Sequence, residues 1–438
     1  MTIVATQTTL TPKDYPEFEQ TVGNSFASSY PETVQKEEAD LTRLANVSQG
    51  LFKIYENVIE DAAKGAPMTP RDSAVIATTV ANMTSSVGVE SSVQPMVSLE
   101  SRYDQHMGYI ITQESLSNTI KKTINAFIDG FVRLLNRIVQ WLSDWISKSG
   151  DNTRPLIRAF NTMRRLSNFD ASSVVYKPSM SGILVDTQIP ADWFGRALDT
   201  LTVINYLTEE QQKMANYGTE IMERVLGVDA TGSNADKALS DIEKFVDSAP
   251  QVSLGRYKDR SEKLADKEIE WSAPLCGNTI AIAMNPTGAE AIDAVNYGAA
   301  LIHTSVAAEF GVKTKYAESG EGGTSDSVVT ISLVDYIRSY NSLTQLLKTS
   351  DQQLTRLNSI VDRLESVMKK VADKFRNNNL SDDGDNETMQ NLLTYSGVAR
   401  SAVSAAVASA RYSHEAFSNT TGAISAIFQA INEKAGAR

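Results

Sequence analysis

The sequence predicts a mainly α-helical protein: an elongated helical bundle with two long antiparallel C-terminal helices and one small antiparallel β element. Three observations support this prediction. The 438 residues include only 24 glycines and 12 prolines, a low content that favours long helices over a turn-rich β architecture. Apolar residues keep helical spacing over most of the last 105 residues. Runs typical of strands are concentrated within residues 278–332.

Two unbroken apolar seams define the C-terminal region, which we delimit as residues 333–438. Each seam alternates spacings of four and three residues, which places it on one helix face. The first comprises Tyr336, Tyr340, Leu343, Leu347, Ser350, Leu354, Leu357, Val361, Leu364, Met368, Val371 and Phe375. The second comprises Met389, Leu392, Ser396, Ala399, Val403, Ala406, Ala410, Ser413, Phe417, Thr420, Ile424, Ile427 and Ile431. The short polar loop between them predicts antiparallel neighbours, with the small residues of the second seam packed against the bulky first seam.

The N-terminal region, residues 1–100, is predicted to be an acidic helical segment. Apolar spacing from Val34 to Ala62 predicts one helix, and Thr69-Pro70 is expected to begin a second that ends near Met83. Residues 1–100 contain 6 Lys and Arg and 13 Asp and Glu residues, so they carry −7 of the total charge of −12. Residues 84–115 show no sustained period and are expected to be irregular.

The spacing of apolar residues over 117–148 predicts the most amphipathic helix of the chain. We delimit the region that contains it as residues 101–150. Asp151 and Pro155 are expected to end this helix and to begin another over 155–167. The apolar stripe of the helix over 117–148 comprises Ile120, Ile124, Phe127, Phe131, Leu134, Ile138, Leu142 and Trp145. We favour docking of this stripe on the rest of the protein. A membrane-surface helix is the alternative, because the segment has a net charge of +3 and two tryptophans.

The middle region, residues 151–332, is predicted to be a helical body that contains the β element. We expect a short hairpin over residues 171–187 and one strand over residues 278–284. A helix is expected over 287–309, and strands over 312–316 and 328–332 are expected to flank a glycine-rich loop. Further helices are predicted at 190–206, 209–226 and 233–248.

Catalytic and cofactor sites are not predicted. The single cysteine, Cys276, excludes an internal disulfide framework and a cysteine-based zinc site. The histidines, His106, His303 and His414, are far apart in sequence, and no G-x-S-x-G motif is present. We therefore expect no enzyme activity, no cofactor and no metal.

Two loops resemble ligand sites only superficially. Residues 319–324 are glycine-rich but lack the lysine of a phosphate-binding loop. Residues 379–390 are acidic, but Gln390 occupies the last position of a calcium loop, where a bidentate glutamate is required. The acidic total charge argues against broad phosphate binding. No run of 18 apolar residues occurs, and no secretory signal is recognised at the N-terminus.

Three Glu-Ser junctions lie in the irregular stretch of residues 84–115, at Glu90, Glu100 and Glu114. Exposed segments of small residues are where a protease can bind a chain in extended form. We therefore predict proteolytic processing at these three glutamates. An ordinary polar linker is the alternative interpretation.

With these pieces in place, the chain resembles the internal head proteins (inner body, or prohead core, proteins) of giant phiKZ-like tailed bacteriophages. The matching pieces are Val97 to Ser101, Glu114 to Leu116, and Phe127 to Ile146. The resemblance implies a non-enzymatic structural protein that the phage prohead protease cleaves after Glu, with a small residue two places earlier. That rule fits Glu90 and Glu100, whereas Glu114 departs from it.

The same resemblance implies partners and location. Other internal head or capsid proteins are expected as partners. Packaged DNA is expected to bind weakly, because residues 101–438 still carry a net charge of −5. Stable membrane insertion is not expected. The protein would be in the host cytoplasm during assembly and then in the virion interior. Two alternatives stay open: a membrane-active or secreted helical effector, and a scaffold or tail component that forms homo-oligomers through its helix seams.

Overall fold

A computed structural model describes residues 32–64, 69–94, 104–163, 173–185, 187–228, 235–264, 267–286, 298–309, 328–377 and 383–436. The α-helices it contains, in chain order, are α1 (Glu32–Ala63), α2 (Pro70–Ser85), α3 (Asp104–Met163), α4 (Trp193–Gly227), α5 (Ala235–Asp247), α6 (Thr304–Glu309), α7 (Leu333–Asn377) and α8 (Asp383–Gly436). More than half of the chain is therefore helical, and the prediction of a mainly α protein is confirmed. The longest helix, α3, has 60 residues and so spans roughly 90 Å.

The strands form two antiparallel sheets. The strands, in chain order, are β1 (Ser173–Val175), β2 (Lys258–Leu264), β3 (Lys267–Ser272), β4 (Thr279–Pro286), β5 (Gly298–His303) and β6 (Val328–Thr330). The larger sheet has the order β2-β3-β4-β5, and β1 pairs with β6 in the smaller one. The predicted strand over 278–284 is confirmed as β4, and the strand over 328–332 as β6.

The largest packing unit is a bundle of α3, α4, α7 and α8, in which α7 and α8 each contact both α3 and α4. Helix α7 runs parallel to α4, because Asn205 lies beside Leu346 and Arg363 lies beside Glu223. Helix α8 runs antiparallel to α4, because the Phe194 ring lies 5.8 Å from that of Phe428, whereas Gln211 bonds to Ser413. Helices α7 and α8 are therefore antiparallel, as predicted.

Both C-terminal seams are buried at every position whose side chain is described. Their partners differ from those expected, however, since they pack chiefly on α3 and α4 rather than on each other. The reason is visible at Gly218 of α4. A Cβ atom there would lie 2.7 Å from the carbonyl oxygen of Ala399, so the small residues of α8 allow close approach to α4.

Two predicted helix breaks are absent. Helix α3 continues through Asp151 and Pro155, and α4 continues through Thr208. The Thr208 hydroxyl donates to the carbonyl of Ile204 (3.0 Å) instead of capping a new helix. Leu156 is also buried. The backbone of α3 and α4 is thus continuous across both predicted breaks, and tertiary context overrides the local signal to stop.

Two predictions for the β element were wrong, and two strands were not predicted. Residues 171–187 do not form a hairpin, because β1 pairs with β6 and residues 178–183 form a 3-10 helix on α8. Residues 298–303 are strand β5 rather than helix, since a short apolar run does not distinguish the two and pairing with β4 decides. Strands β2 and β3 were not predicted, because charged residues obscure their alternation. Residues 287–297 and the predicted strand over 312–316 lie outside the described residues.

One hydrophobic core extends from α1 to α8, so the N-terminal helices share it with the bundle. A second cluster, which includes Ile269, Trp271 and Ile282, lies on the opposite face of the larger sheet. In the part of the chain that the structure describes, none of the helices has the length and apolar character needed to cross a membrane.

Candidate processing site

The segment that joins the N-terminal helices to the body begins with a tight turn at the end of α2. The N–H of Val89 donates to the carbonyl of Thr84 (3.0 Å), and that of Gly88 donates to the carbonyl of Ser85 (3.2 Å). This pattern is a Schellman motif, which needs a left-handed residue after the helix. Gly88 supplies it with φ of +70°. The small residue two places before Glu90 therefore also terminates the helix.

Glu90 is exposed and lies outside any helix or strand. The residues after it are attached to α3. The N–H of Ser92 donates to Oγ1 of Thr119 (2.9 Å), and Nζ of Lys122 donates to Oγ of Ser92 (2.9 Å). Val93 is buried in the main core. A protease can thus reach Glu90, but binding of the Ser91 side in extended form requires release of these contacts.

The other two candidates have different surroundings. Glu100 lies outside the described residues. Glu114 lies within α3, where Oγ of Ser115 donates to the carbonyl of Ile111 (2.6 Å). The expectation that residues 84–115 are irregular throughout was wrong from Asp104 onward. Thr112 and Leu116, which precede the predicted start of the helix at residue 117, are buried, and this burial favours the longer helix.

Helix α1 covers part of α3. The two helices are antiparallel neighbours, with Leu41 and Leu44 of α1 next to Gly130 of α3. A Cβ atom at Gly130 would lie 2.9 Å from Cδ1 of Leu41, so glycine permits the close approach. The described stripe of α3, Ile120 to Ile138, is buried within the protein. The prediction that this helix docks on the rest of the chain is therefore confirmed.

Acidic residues of α1 face arginines of the body. Nε of Arg137 donates to Oε1 of Glu37 (3.0 Å), and Nε of Arg133 lies 3.9 Å from Oε2 of the same carboxylate. On the other flank, a guanidinium nitrogen of Arg400 in α8 donates to Oγ1 of Thr42 (3.1 Å). This cluster could not be predicted from the sequence, because nothing in the local sequence relates residues 37, 133 and 400.

The residues considered for catalysis are not brought together. His414 is buried on α8 beside the seam and stacks on Phe417, and desolvation lowers the pKa of its imidazole to about 3. His303 is exposed, with Nδ1 2.7 Å from Oγ of Ser305. Cys276 is buried, and desolvation raises the pKa of its thiol to about 11. Across the residues described, no group of three or more His, Cys, Asp or Glu side chains could hold a metal ion.

The long buried seams, the small sheet and the shared core define a mainly helical protein built around one bundle. Residues 30–435 match the family of phiKZ-like phage internal head proteins. Since this match covers most of the chain, the protein belongs to that family. It is therefore a structural protein of the phage head, and its place is the virion interior. No curated protein and no solved structure matches the chain.

Proposed function

We propose that this head protein is made as a precursor whose N-terminal helices cover the body, and that the phage prohead protease removes them during head assembly. The observation that supports this proposal most directly is the position of Glu90. Glu90 is exposed and lies directly after the turn that Gly88 forms, in the described part of the segment that joins α2 to α3. Cleavage there, or after Glu100, would separate α1 and α2 from the body.

The negative charge of residues 1–100 also supports their removal before DNA is packaged. Cleavage after Glu100 would remove a segment with a net charge of −7 and leave residues 101–438 with −5. An acidic segment repels nucleic acid through its field. Its removal before packaging would therefore reduce repulsion of the incoming genome without producing a strongly adhesive surface. The mature protein would associate with packaged DNA weakly and with other internal head or capsid proteins.

The three glutamates should differ in susceptibility. A protease binds its substrate in extended form, which irregular segments adopt most readily. Glu90 needs the release of the contacts that Ser92 and Val93 make, whereas Glu114 needs several turns of α3 to unwind. We therefore propose Glu100 and Glu90 as the processing sites and Glu114 as the weakest of the three candidates.

The experiment is mass spectrometry of the protein from purified particles, before and after heads mature. We expect peptides that begin at Ser91 or Ser101 to replace peptides that span those junctions. The double variant Glu90→Gln/Glu100→Gln should retain residues 1–100, whereas Glu114→Gln is the matched control and should be processed normally. Intact spanning peptides at full abundance in mature particles would contradict the proposal.

A further inference from the structure

Three arginines of the body lie around α1. Arg133 and Arg137 are one turn apart on α3, and both face Glu37 of α1. Arg400 of α8 lies on the other flank, where it donates to Thr42. Because α1 contacts both α3 and α8, it lies between these two groups of positive charge.

Arg400 is unusually placed for a guanidinium. Desolvation lowers its pKa, and the carboxylate of Glu38 opposes that shift. Its Nε atom is buried and has no hydrogen-bond partner among the described residues. A buried guanidinium with an unused N–H gains hydrogen bonds when an acceptor with several oxygens reaches it, and phosphate is such an acceptor.

The ion pairs are not the main attachment of α1. The side chains of Arg133 and Arg137 are 59% and 48% exposed, and exposed ion pairs contribute little to stability. The buried apolar residues Leu41, Leu51 and Phe52 hold the helix instead. The main effect of Glu37 and Glu38 is therefore electrostatic: their carboxylates offset the positive charge of Arg133, Arg137 and Arg400, two of which are already half exposed.

We propose that Arg133, Arg137 and Arg400 form a binding surface for the phosphates of duplex DNA, and that in the uncut chain α1 partly covers this surface and offsets its charge with Glu37 and Glu38. The arginine fork binds phosphate oxygens without reading base sequence, which suits a protein that lies beside a whole genome. This inference rests on the proposed processing, because cleavage turns α1 from an intramolecular cover at high effective concentration into a fragment that can dissociate.

The test is fluorescence anisotropy of a labelled 30-base-pair duplex, with the full chain carrying a site-specific protease sequence between Glu90 and Ser91. We compare the intact protein with the same protein after cleavage and gel filtration. We expect roughly tenfold tighter binding after cleavage at 50 mM salt. Release of about three counterions predicts a loss of about 40-fold in affinity between 50 and 200 mM salt.

Matched triple variants identify the surface. Arg133→Gln/Arg137→Gln/Arg400→Gln should abolish the gain on cleavage and lower the salt slope by nearly three. Arg158→Gln/Lys348→Gln/Arg356→Gln removes the same charge from exposed positions elsewhere and should keep most of the gain. If both triple variants behave alike, the surface is not the one proposed.

A second measurement avoids exposing the apolar side of α3. In the uncut chain, Glu37→Gln/Glu38→Gln should tighten DNA binding about threefold relative to Glu56→Gln/Glu60→Gln, which makes the same change of charge near the other end of α1. If neither this variant nor cleavage tightens DNA binding, the proposal is overturned. These assays use a purified protein cut artificially, so their failure leaves the processing in particles to be judged separately by mass spectrometry.

Discussion

His414 illustrates how position in the fold changes the chemistry of a residue. The sequence assigned it no role beyond its distance from the other histidines, and the structure buries it on α8 beside the seam. Desolvation disfavours the charged imidazole, which is why its pKa falls to about 3. The residue is thus held neutral within the bundle.

This shift predicts a loss of stability in acid. The folded pKa of His414, about 3, is below its ordinary value of 6.5, so the unfolded chain binds more protons between these pH values. The free energy of unfolding should therefore be unaffected by His414 above about pH 6.5 and should fall below it, by at most roughly 1.4 kcal/mol per pH unit. The measurement is urea unfolding at a series of pH values.

Substitution separates His414 from the carboxylates that also titrate in acid. His414→Gln should give a shallower decline in stability below pH 6.5, whatever its effect at neutral pH. His303→Gln is the control, since His303 is exposed, and it should keep the decline of the unmodified protein. Identical slopes in all three proteins would show that His414 protonation does not limit acid stability.

At the scale of elements, small residues determine which helices approach closely. Gly218 on α4 faces the backbone of α8 at Ala399 and the side chain of Val403. Gly182 in the 3-10 helix lies similarly close to the backbone of Asn419 in α8. Backbone atoms cannot move aside as the end of a flexible side chain can, so these contacts fix the position of α8.

Gly218→Ala should therefore destabilise the protein, by about 1–3 kcal/mol for overpacking a well-filled contact. Gly422→Ala is the matched control in α8, because a Cβ atom there meets nothing within 4 Å. It should stabilise by about 0.5–1 kcal/mol, since alanine is the better helix former. Chemical denaturation of both variants gives the comparison, and equal effects would contradict the inferred contact between α4 and α8.

At the scale of the whole molecule, the N-terminal helices are part of the core yet lie at its edge. Helix α1 packs mainly on α3, whereas α4 is packed between α7 and α8 and also contacts β5. Helices with fewer packed neighbours open at lower free energy than central ones. The cover is therefore expected to open before the bundle does.

Native-state hydrogen exchange should show this order. Amides of α1 are expected to exchange roughly tenfold or more faster than those in the centre of α4, through an opening that leaves the bundle folded. Helix α7, which belongs to the bundle, is the internal comparison and should resemble α4. Protection of α1 equal to that of α4 would mean that the cover and the bundle unfold together, and that removal of α1 needs more than a cut in the connection.

The helical architecture and both long seams could be predicted from the pattern of residues alone. Their period is a local property of the chain, and every described seam position is buried as it predicts. The pattern of residues also located Glu90 in an irregular segment, because Gly88 and the serines after it signal the end of a helix. The resemblance drawn from these pieces was confirmed by the family match.

Tertiary contacts decided what local patterns leave open. Pairing between distant residues made 298–303 a strand and joined β1 to β6. Helix α3 continues through Pro155 and begins at Asp104, where local signals predicted an end and a later beginning. The contacts between α1 and the arginines also depend on tertiary packing, since Glu37, Arg133 and Arg400 meet only because three helices pack together. Periodicity reports which face of an element is buried, whereas only packing determines which residues cover it.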